Sequence, residues 1–99
     1  MPQPKRETTG FALVFTEQYS RRAAQFLKRH PDLRQHYLKT LQLLEANPAH
    51  PSLRLHALKG KHDGLHSVSI NVSYRMTLEL LIQARQIIPV NVGDHDAVH

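Results

Sequence analysis

Two different hydrophobic periods divide this chain of 99 residues. In the first half apolar residues recur every three or four positions, which is the period of a helix that buries one face. The two stripes are Tyr19, Ala23, Phe26, Leu27 and His30, followed by Leu33, Leu38, Tyr37, Leu41 and Leu44. Pro31 stands between them and can end one helix and open the next, while Asn47-Pro48 stops the second. The pattern predicts a helical hairpin.

Strand patterns lie on both sides of this hairpin. The apolar run FALVF (11–15) predicts a buried strand, and alternating segments at 65–72, 74–82 and 88–92 predict three more strands with one polar face. The expected core positions are Val68, Ile70, Val72, Met76, Leu78, Leu80, Ile82, Ile88, Val90 and Val92. Pro89 lacks an N–H donor, so we expect an edge position or a bulge there. The order β-α-α-β-β-β predicts an α+β domain in which the hairpin packs on an antiparallel sheet.

The remaining segments set the domain limits. Residues 1–10 contain prolines, charges and Thr-Thr-Gly, which predicts a flexible tail. Residues 46–64 are punctuated by proline and glycine and are expected to cross one face of the domain as a connection. A chain of this length forms one core, so 11–99 is interpreted as a single domain.

Charge and composition narrow the choice of partners and compartment. The chain has 13 Lys+Arg, 8 Asp+Glu and 8 His, a net charge of +5 with histidine neutral, which favours nucleic acid or an acidic protein as partner. It has no cysteine, and its polar, proline-containing start does not have the pattern of a signal peptide. No apolar stretch approaches the roughly 20 residues of a membrane span, so we expect a cytoplasmic protein without membrane contact.

The polar side of the predicted strands collects candidate chemistry. Ser69, Arg75 and His95 fall on the polar parity of their strands. If no bulge intervenes, they face one concave surface, and the basic segment 54–62 could lie beside it. Arginine matches phosphate oxygens with a fixed fork of donors, and histidine transfers protons near neutral pH. Taken alone, however, the pattern favours Arg75 as a surface residue paired with Glu79 over a contact with phosphate.

Four short motifs follow one another in the second half: Leu58-Lys59-Gly60, Gly64-Leu65-His66, Tyr74-Arg75 and the closing segment GDHDAVH (93–99). In this order and spacing they resemble the RelE/ParE superfamily of bacterial toxins, and most of all its RelE/YafQ-like ribonuclease branch. The motifs cover roughly residues 50–99, and the order of elements extends the resemblance over 11–47.

The resemblance implies the toxin of a type II toxin–antitoxin pair. Such a toxin is an endoribonuclease that cuts messenger RNA, often on the ribosome, without metal or cofactor, and a separate antitoxin chain holds it inactive in a hetero-oligomer. The family arginine maps onto Arg75, which would contact the scissile phosphate. The family histidine near the end maps onto His95, the histidine before Leu-Lys-Gly in the YafQ-like branch onto His56, and the closing aromatic onto His99.

RNA contact is assigned to Arg54, Lys59, Lys61 and His66. The three cations lie in the connection, where solvated positive charge attracts the phosphate chain. His66 replaces the bulky aromatic that usually follows Gly-Leu in the resembling family.

Several positions depart from the family pattern. The closing aromatic is His99, and Ser69 and Ser73 stand where the YafQ-like branch has a histidine and an aspartate. Two other functions therefore stay open: a non-catalytic relative that binds antitoxin or nucleic acid, and a ParE-like inhibitor of DNA gyrase. A zinc site at His95 and His99 is not expected, because residues four apart on an extended strand lie some 13 Å from each other.

Overall fold

The computed structural model describes residues 10–94, in which two helices pack on one face of a five-stranded sheet. In chain order the elements are β1 (Ala12–Leu13), α1 (Glu17–Arg29), α2 (Arg34–Ala46), β2 (His56–Ala57), β3 (His66–Ser69), β4 (Tyr74–Leu81) and β5 (Gln86–Asp94). The predicted α+β class and helical hairpin are confirmed. Apart from Gly10, the predicted tail lies outside the described residues, as do the candidates His95 and His99.

The hairpin forms where the apolar stripes predict it. Thr16 caps α1 by accepting a hydrogen bond from the backbone N–H of Tyr19, and Pro31 opens the single turn that leads into α2. The buried face of α2 contains Tyr37, Thr40 and Leu44. Leu38 was expected in the core and is 45% exposed, because it lies about 100° around the helix from Tyr37. Within residues 10–94 neither helix is long and apolar enough to cross a membrane.

The strands follow the order β1-β5-β4-β3-β2. Neighbouring strands are antiparallel except β1 and β5, which are parallel, so the sheet is mixed rather than wholly antiparallel. The prediction of a buried strand over 11–15 is wrong: β1 is a two-residue edge strand, and Val14 and Phe15 are exposed. β2 was not predicted, because a two-residue strand is too short to show alternation.

A bulge in β5 changes which of its residues enter the core. Thr77 of β4 is aligned with Asn91, whereas the next residue, Leu78, is aligned with Pro89, so Val90 is one residue too many. Ile87, Pro89 and Val92 are therefore buried, while Ile88 and Val90, both expected in the core, are only half-buried. The bulge predicted near Pro89 is confirmed.

Pro89 also explains why β1 is short. The carbonyl of Ile87 accepts a hydrogen bond from the N–H of Val14, so the backbone N–H and C=O of Ile87 point toward β1. Two residues further along, the backbone of Pro89 also faces β1, but proline has no N–H to donate. The parallel ladder cannot continue past this point.

The β3–β4 turn corrects two further core predictions. The Oδ1 of Asn71 accepts hydrogen bonds from the N–H groups of Ser73 and Tyr74, which closes a tight turn after Ser69. Val72 lies in this turn and is 99% exposed, and Ile82, in the β4–β5 turn, is exposed as well. Both continue the apolar alternation in sequence but lie beyond the end of the sheet.

The core lies between the hairpin and the sheet, which yields a matched test. Leu44 is 0% exposed and Leu38 is 45% exposed on the same helix. We expect Leu44→Ala to lower the free energy of unfolding by about 2–5 kcal/mol, because it removes buried methyl groups and leaves a cavity. Leu38→Ala should change it by about 0.5 kcal/mol or less. Urea denaturation of both variants measures the difference, and equal losses would contradict this packing.

A buried pair of tyrosines joins α1 to α2. The hydroxyl groups of Tyr19 and Tyr37 are 2.9 Å apart and hydrogen-bonded inside the core. Burial raises the pKa of both side chains above the ordinary tyrosine value, because the phenolate would lose its hydration. The folded chain therefore keeps both groups protonated where an unfolded chain would ionise them.

This pair predicts a loss of stability at alkaline pH. Its stabilising effect is complete below the unfolded tyrosine pKa of about 10 and is lost as the pH rises above it. We expect the free energy of unfolding to fall with pH in that range, and to fall less steeply in the double variant Tyr19→Phe, Tyr37→Phe. Denaturant titrations of both proteins at neutral and alkaline pH compare the slopes; parallel slopes would refute the assignment.

Candidate functional site

The sheet face that points away from the helices is lined with polar residues. Across the strands, His56, Ser67, Thr77 and Asn91 are aligned in one row, and Ser69, Arg75 and Gly93 in the next. Because side chains alternate between the two faces, these rows lie opposite the core residues Val68 and Met76. We call this surface the polar face. Its parity was predicted for Ser69 and Arg75.

Arg75 is held on the polar face by three contacts. Its Nε–H donates to Ser67 Oγ at 2.6 Å, and an Nη2–H donates to the backbone carbonyl of Arg54 at 3.3 Å. Nη2 also lies 3.3 Å from Nδ1 of His56. Among the described residues, the guanidinium of Arg75 therefore contacts Ser67, Arg54 and His56 and does not pair with Glu79. Three residues from two stretches of the chain, residues 54–56 and strand β3, thus hold one side chain.

The electrostatics of Arg75 favour an anionic ligand. Partial burial lowers the pKa of Arg75 from its ordinary value, and the nearby charge of Arg54 lowers it further. Arginine nevertheless stays charged at any physiological pH. Two cations that lie close together and are partly removed from water gain from an anion placed between them. A phosphate matches this arrangement.

A strained turn brings Arg54 to Arg75. His50 Nδ1 accepts a hydrogen bond from the N–H of Ser52 at 3.1 Å, and buried Leu53 ties the turn to the core. The backbone of Arg54 then takes φ 50° and ψ 49°, a left-handed conformation that is uncommon outside glycine. This conformation leaves the Arg54 side chain exposed while its carbonyl accepts from Arg75.

His56 lies in the same cluster on the edge strand β2. Its Nδ1 is 3.3 Å both from the carbonyl of Arg54 and from Nη2 of Arg75. An unprotonated Nδ1 accepts from Arg75, whereas a protonated Nδ1 donates to Arg54. Whether Nδ1 acts as donor or acceptor thus depends on the tautomer of His56, and each tautomer has a neighbouring partner.

A groove opens beside this cluster. It has a volume of about 500 Å³ and runs between the Pro51–Arg54 turn and the β3–β4 turn, with Arg75 on its wall. Val72 forms part of its rim. The groove is open to solvent, and Arg54 and Arg75 make it positive.

The other predicted site residues are placed differently. Lys59 and Lys61 lie on the exposed connection from β2 to β3, beyond the groove, where Gly60 and Gly64 take φ values of +70° and +96°. His66 is aligned with Leu78, so it faces the helices, and its buried Nδ1 has no hydrogen-bond partner. The structure does not bring His66 together with Arg75.

Sequence reasoning missed the role of Ser67. The alternation over 65–72 places Ser67 on the solvent-facing side of its strand. In the structure it is fully buried and accepts a hydrogen bond from the Nε–H of Arg75. The available signal was its position two residues from Ser69, which places both serines on the same face of the sheet as Arg75. Within residues 10–94 no three His, Asp or Glu side chains come together as metal ligands.

Several solved structures with this architecture are bacterial toxins or their complexes with antitoxins. YafQ from E. coli matches with a TM-score of 0.65 and 18% identity, over 89% of this chain and 97% of YafQ. The YoeB–YefM complex from Staphylococcus aureus matches with a TM-score of 0.66 and 17% identity, over 86% of this chain and 97% of that one. The RelBE2 toxin–antitoxin complex from Mycobacterium tuberculosis gives 0.61 and 15%, over 88% and 100%.

The chain has the fold of the RelE/YafQ-like toxins. No family model matches its sequence, and no curated protein shows significant similarity to it. The likeness to the toxin fold therefore lies in the arrangement of helices and strands, at identities too low for sequence comparison to find. What the toxin fold presents on its polar face in this chain is the cluster around Arg75.

The contact of Arg75 with Ser67 can be tested without assuming an activity. We expect the Nε–H of Arg75 to give a slowly exchanging signal in nitrogen-15 NMR spectra, because a buried oxygen accepts it. Ser67→Ala should abolish that protection. Ser69→Ala is the matched control, since the Ser69 hydroxyl donates to the carbonyl of Asn71 instead. Loss of the signal in both variants, or in neither, would contradict the proposed contact.

Proposed function

We propose that this chain is the toxin of a type II toxin–antitoxin pair and an endoribonuclease that cuts messenger RNA by metal-independent acid–base chemistry. The observation that carries the proposal is the position of Arg75, held by Ser67, Arg54 and His56 at the wall of a positive groove. The resemblance of the motifs around it, and the toxin fold, support the same function.

Arg75 is proposed to contact the scissile phosphate. Cleavage by the neighbouring 2′-hydroxyl places extra negative charge on the phosphate in the transition state. A guanidinium stabilises that charge with donors in fixed positions, and its two anchored nitrogens hold the fork in place beforehand. Arg54, whose side chain is exposed beside the groove, adds a second positive charge.

The proton transfers are proposed to use histidines. His56 lies beside Arg75 and can take part as acid or base at the same phosphate. His95 and His99, which lie outside the described residues, keep the roles that the resemblance assigns to them: His95 as acid or base, and His99 in the place of the closing aromatic. Lys59 and Lys61 are proposed to attract the RNA chain electrostatically.

An antitoxin chain is the proposed protein partner. Several structures with this fold are complexes of a toxin with its antitoxin, among them the E. coli DinJ–YafQ complex, which matches with a TM-score of 0.65. We propose a comparable hetero-oligomer here, in the cytoplasm, with messenger RNA and the ribosome as targets once the antitoxin is lost.

Substitution of Arg75 tests the activity. We expect Arg75→Ala to slow transcript cleavage about 10²–10³-fold, the cost of removing one donor that stabilises transition-state charge. Primer extension on a defined transcript, after induction of the wild type or the variant, measures cleavage, and growth curves report toxicity in parallel. The double variant Arg75→Ala, His95→Ala should restore growth completely.

Arg85→Ala is the matched control, because Arg85 lies in the turn at the far end of the β4–β5 hairpin. It should cut as the wild type does. Growth arrest with intact transcripts would refute the ribonuclease proposal in favour of a gyrase inhibitor. If the wild type causes no growth arrest and cuts no transcript, the chain is instead a binding protein without catalysis.

A further inference from the structure

A second recess lies on the opposite face of the sheet, between α1 and the ends of β4 and β5. It has a volume of about 360 Å³, and its lining includes Arg22, Arg29, His30, Tyr74 and Asp94. None of these residues belongs to the cluster around Arg75. Its composition, cations together with aromatic rings, differs from that of the apolar core beneath it.

The bulge in β5 fixes one cation of this recess. Arg22 donates from Nη1 to the backbone carbonyl of Val90 at 2.9 Å. Val90 is the extra residue of the bulge and has no partner in β4, because Thr77 and Leu78 are aligned with Asn91 and Pro89. The bulge thereby supplies an acceptor that holds the guanidinium of Arg22 at the recess. Its other donors remain available to a ligand, because one guanidinium has five N–H groups.

Aromatic rings form another wall. The rings of His30 and Tyr74 have centroids 4.7 Å apart, and Phe26 packs against both at 5.0 and 5.4 Å. Phe26 is buried, whereas His30 and Tyr74 are half-buried and line the recess. Packing in this cluster restricts the two rings, so a flat ligand stacked on them would lose little further side-chain freedom.

The charge balance of the recess is positive. Arg22 and Arg29 bring two full positive charges, and Asp94 brings one negative charge at the end of β5. Gln25 contributes an uncharged amide to the same lining. An anion with a planar ring attached fits this combination of one anchored arginine, one exposed arginine and an aromatic surface.

We propose that this recess binds one nucleotide of a single-stranded RNA, with the base against Tyr74 and His30 and a phosphate on Arg29 and Arg22. Stacking on aromatic rings beside arginine is how proteins commonly hold unpaired bases. Tyr74 and Arg75 are consecutive residues of β4 whose side chains lie on opposite faces. An RNA chain that passes around this end of the sheet reaches both sites, so the recess holds a nucleotide near the phosphate at Arg75. The inference rests on RNA being the substrate.

Binding of a non-cleavable RNA separates this inference from catalysis. The probe is a fluorescein-labelled single-stranded RNA with 2′-O-methyl groups throughout, titrated with the full chain and followed by anisotropy at several salt concentrations. We expect Arg29→Ala to weaken binding about tenfold, since one charge-assisted contact is lost. The plot of log affinity against log salt should become shallower by about 0.7 for each phosphate contact removed.

Arg21→Ala is the matched control: it removes the same charge from α1 at a position that does not line the recess. It should leave both affinity and salt slope close to wild type. The ring is tested separately, because Tyr74→Leu should weaken binding about tenfold through lost stacking, while Tyr74→Phe should retain it. If Tyr74→Leu does not fold, the Arg29 and Arg21 comparison decides alone.

Equal losses in Arg29→Ala and Arg21→Ala would overturn the inference, because general attraction to a basic helix would then explain the binding. Unchanged binding in Arg29→Ala would overturn it as well. The cleavage proposal is judged independently. If the chain binds RNA through Arg29 but cuts no transcript, the nucleotide site stands and the ribonuclease proposal is refuted. If Arg29→Ala both cuts and binds as the wild type does, only the nucleotide site is refuted.

Discussion

One extra residue in β5 determines what the two faces of this sheet present. Because Val90 has no partner of its own in β4, the side chains of β5 change parity between Pro89 and Val92. Ile87 and Pro89 enter the core on one side of the bulge and Val92 on the other, so the strand stays packed on the helices over its whole length. The same shift aligns Asn91 with Thr77 and Gly93 with Arg75 on the polar face.

The cluster on the polar face depends on a different kind of constraint, namely backbone groups that side chains use as acceptors. Arg75 has no carboxylate partner among the described residues; a serine hydroxyl and the carbonyl of Arg54 hold it instead. Neutral acceptors orient a guanidinium without cancelling its charge. An arginine that is fixed in this way keeps its full attraction for a phosphate, which is consistent with the proposed role.

The fold could be predicted from the sequence to the extent that it depends on local periodicity. The stripes of α1 and α2, Pro31 between them and the alternation around Met76 and Leu78 all gave the correct elements. Predictions failed where an apolar residue continued a pattern beyond its element: Val72 in a turn, Ile82 after a strand and Leu38 on the outer side of α2. Periodicity shows which residues share a face, but not where the element ends.

The candidate site divides in the same way. The chain's residue types and their order determined the charge, the polar parity of Arg75 and its motif context, because these follow from chemistry and from the alternation of a single strand. Only the tertiary structure decided that Arg54 and His56 meet Arg75, and that Ser67 rather than Ser69 anchors it. Those contacts join segments up to 21 residues apart, and a left-handed turn and a strand register, which no local pattern encodes, bring them together.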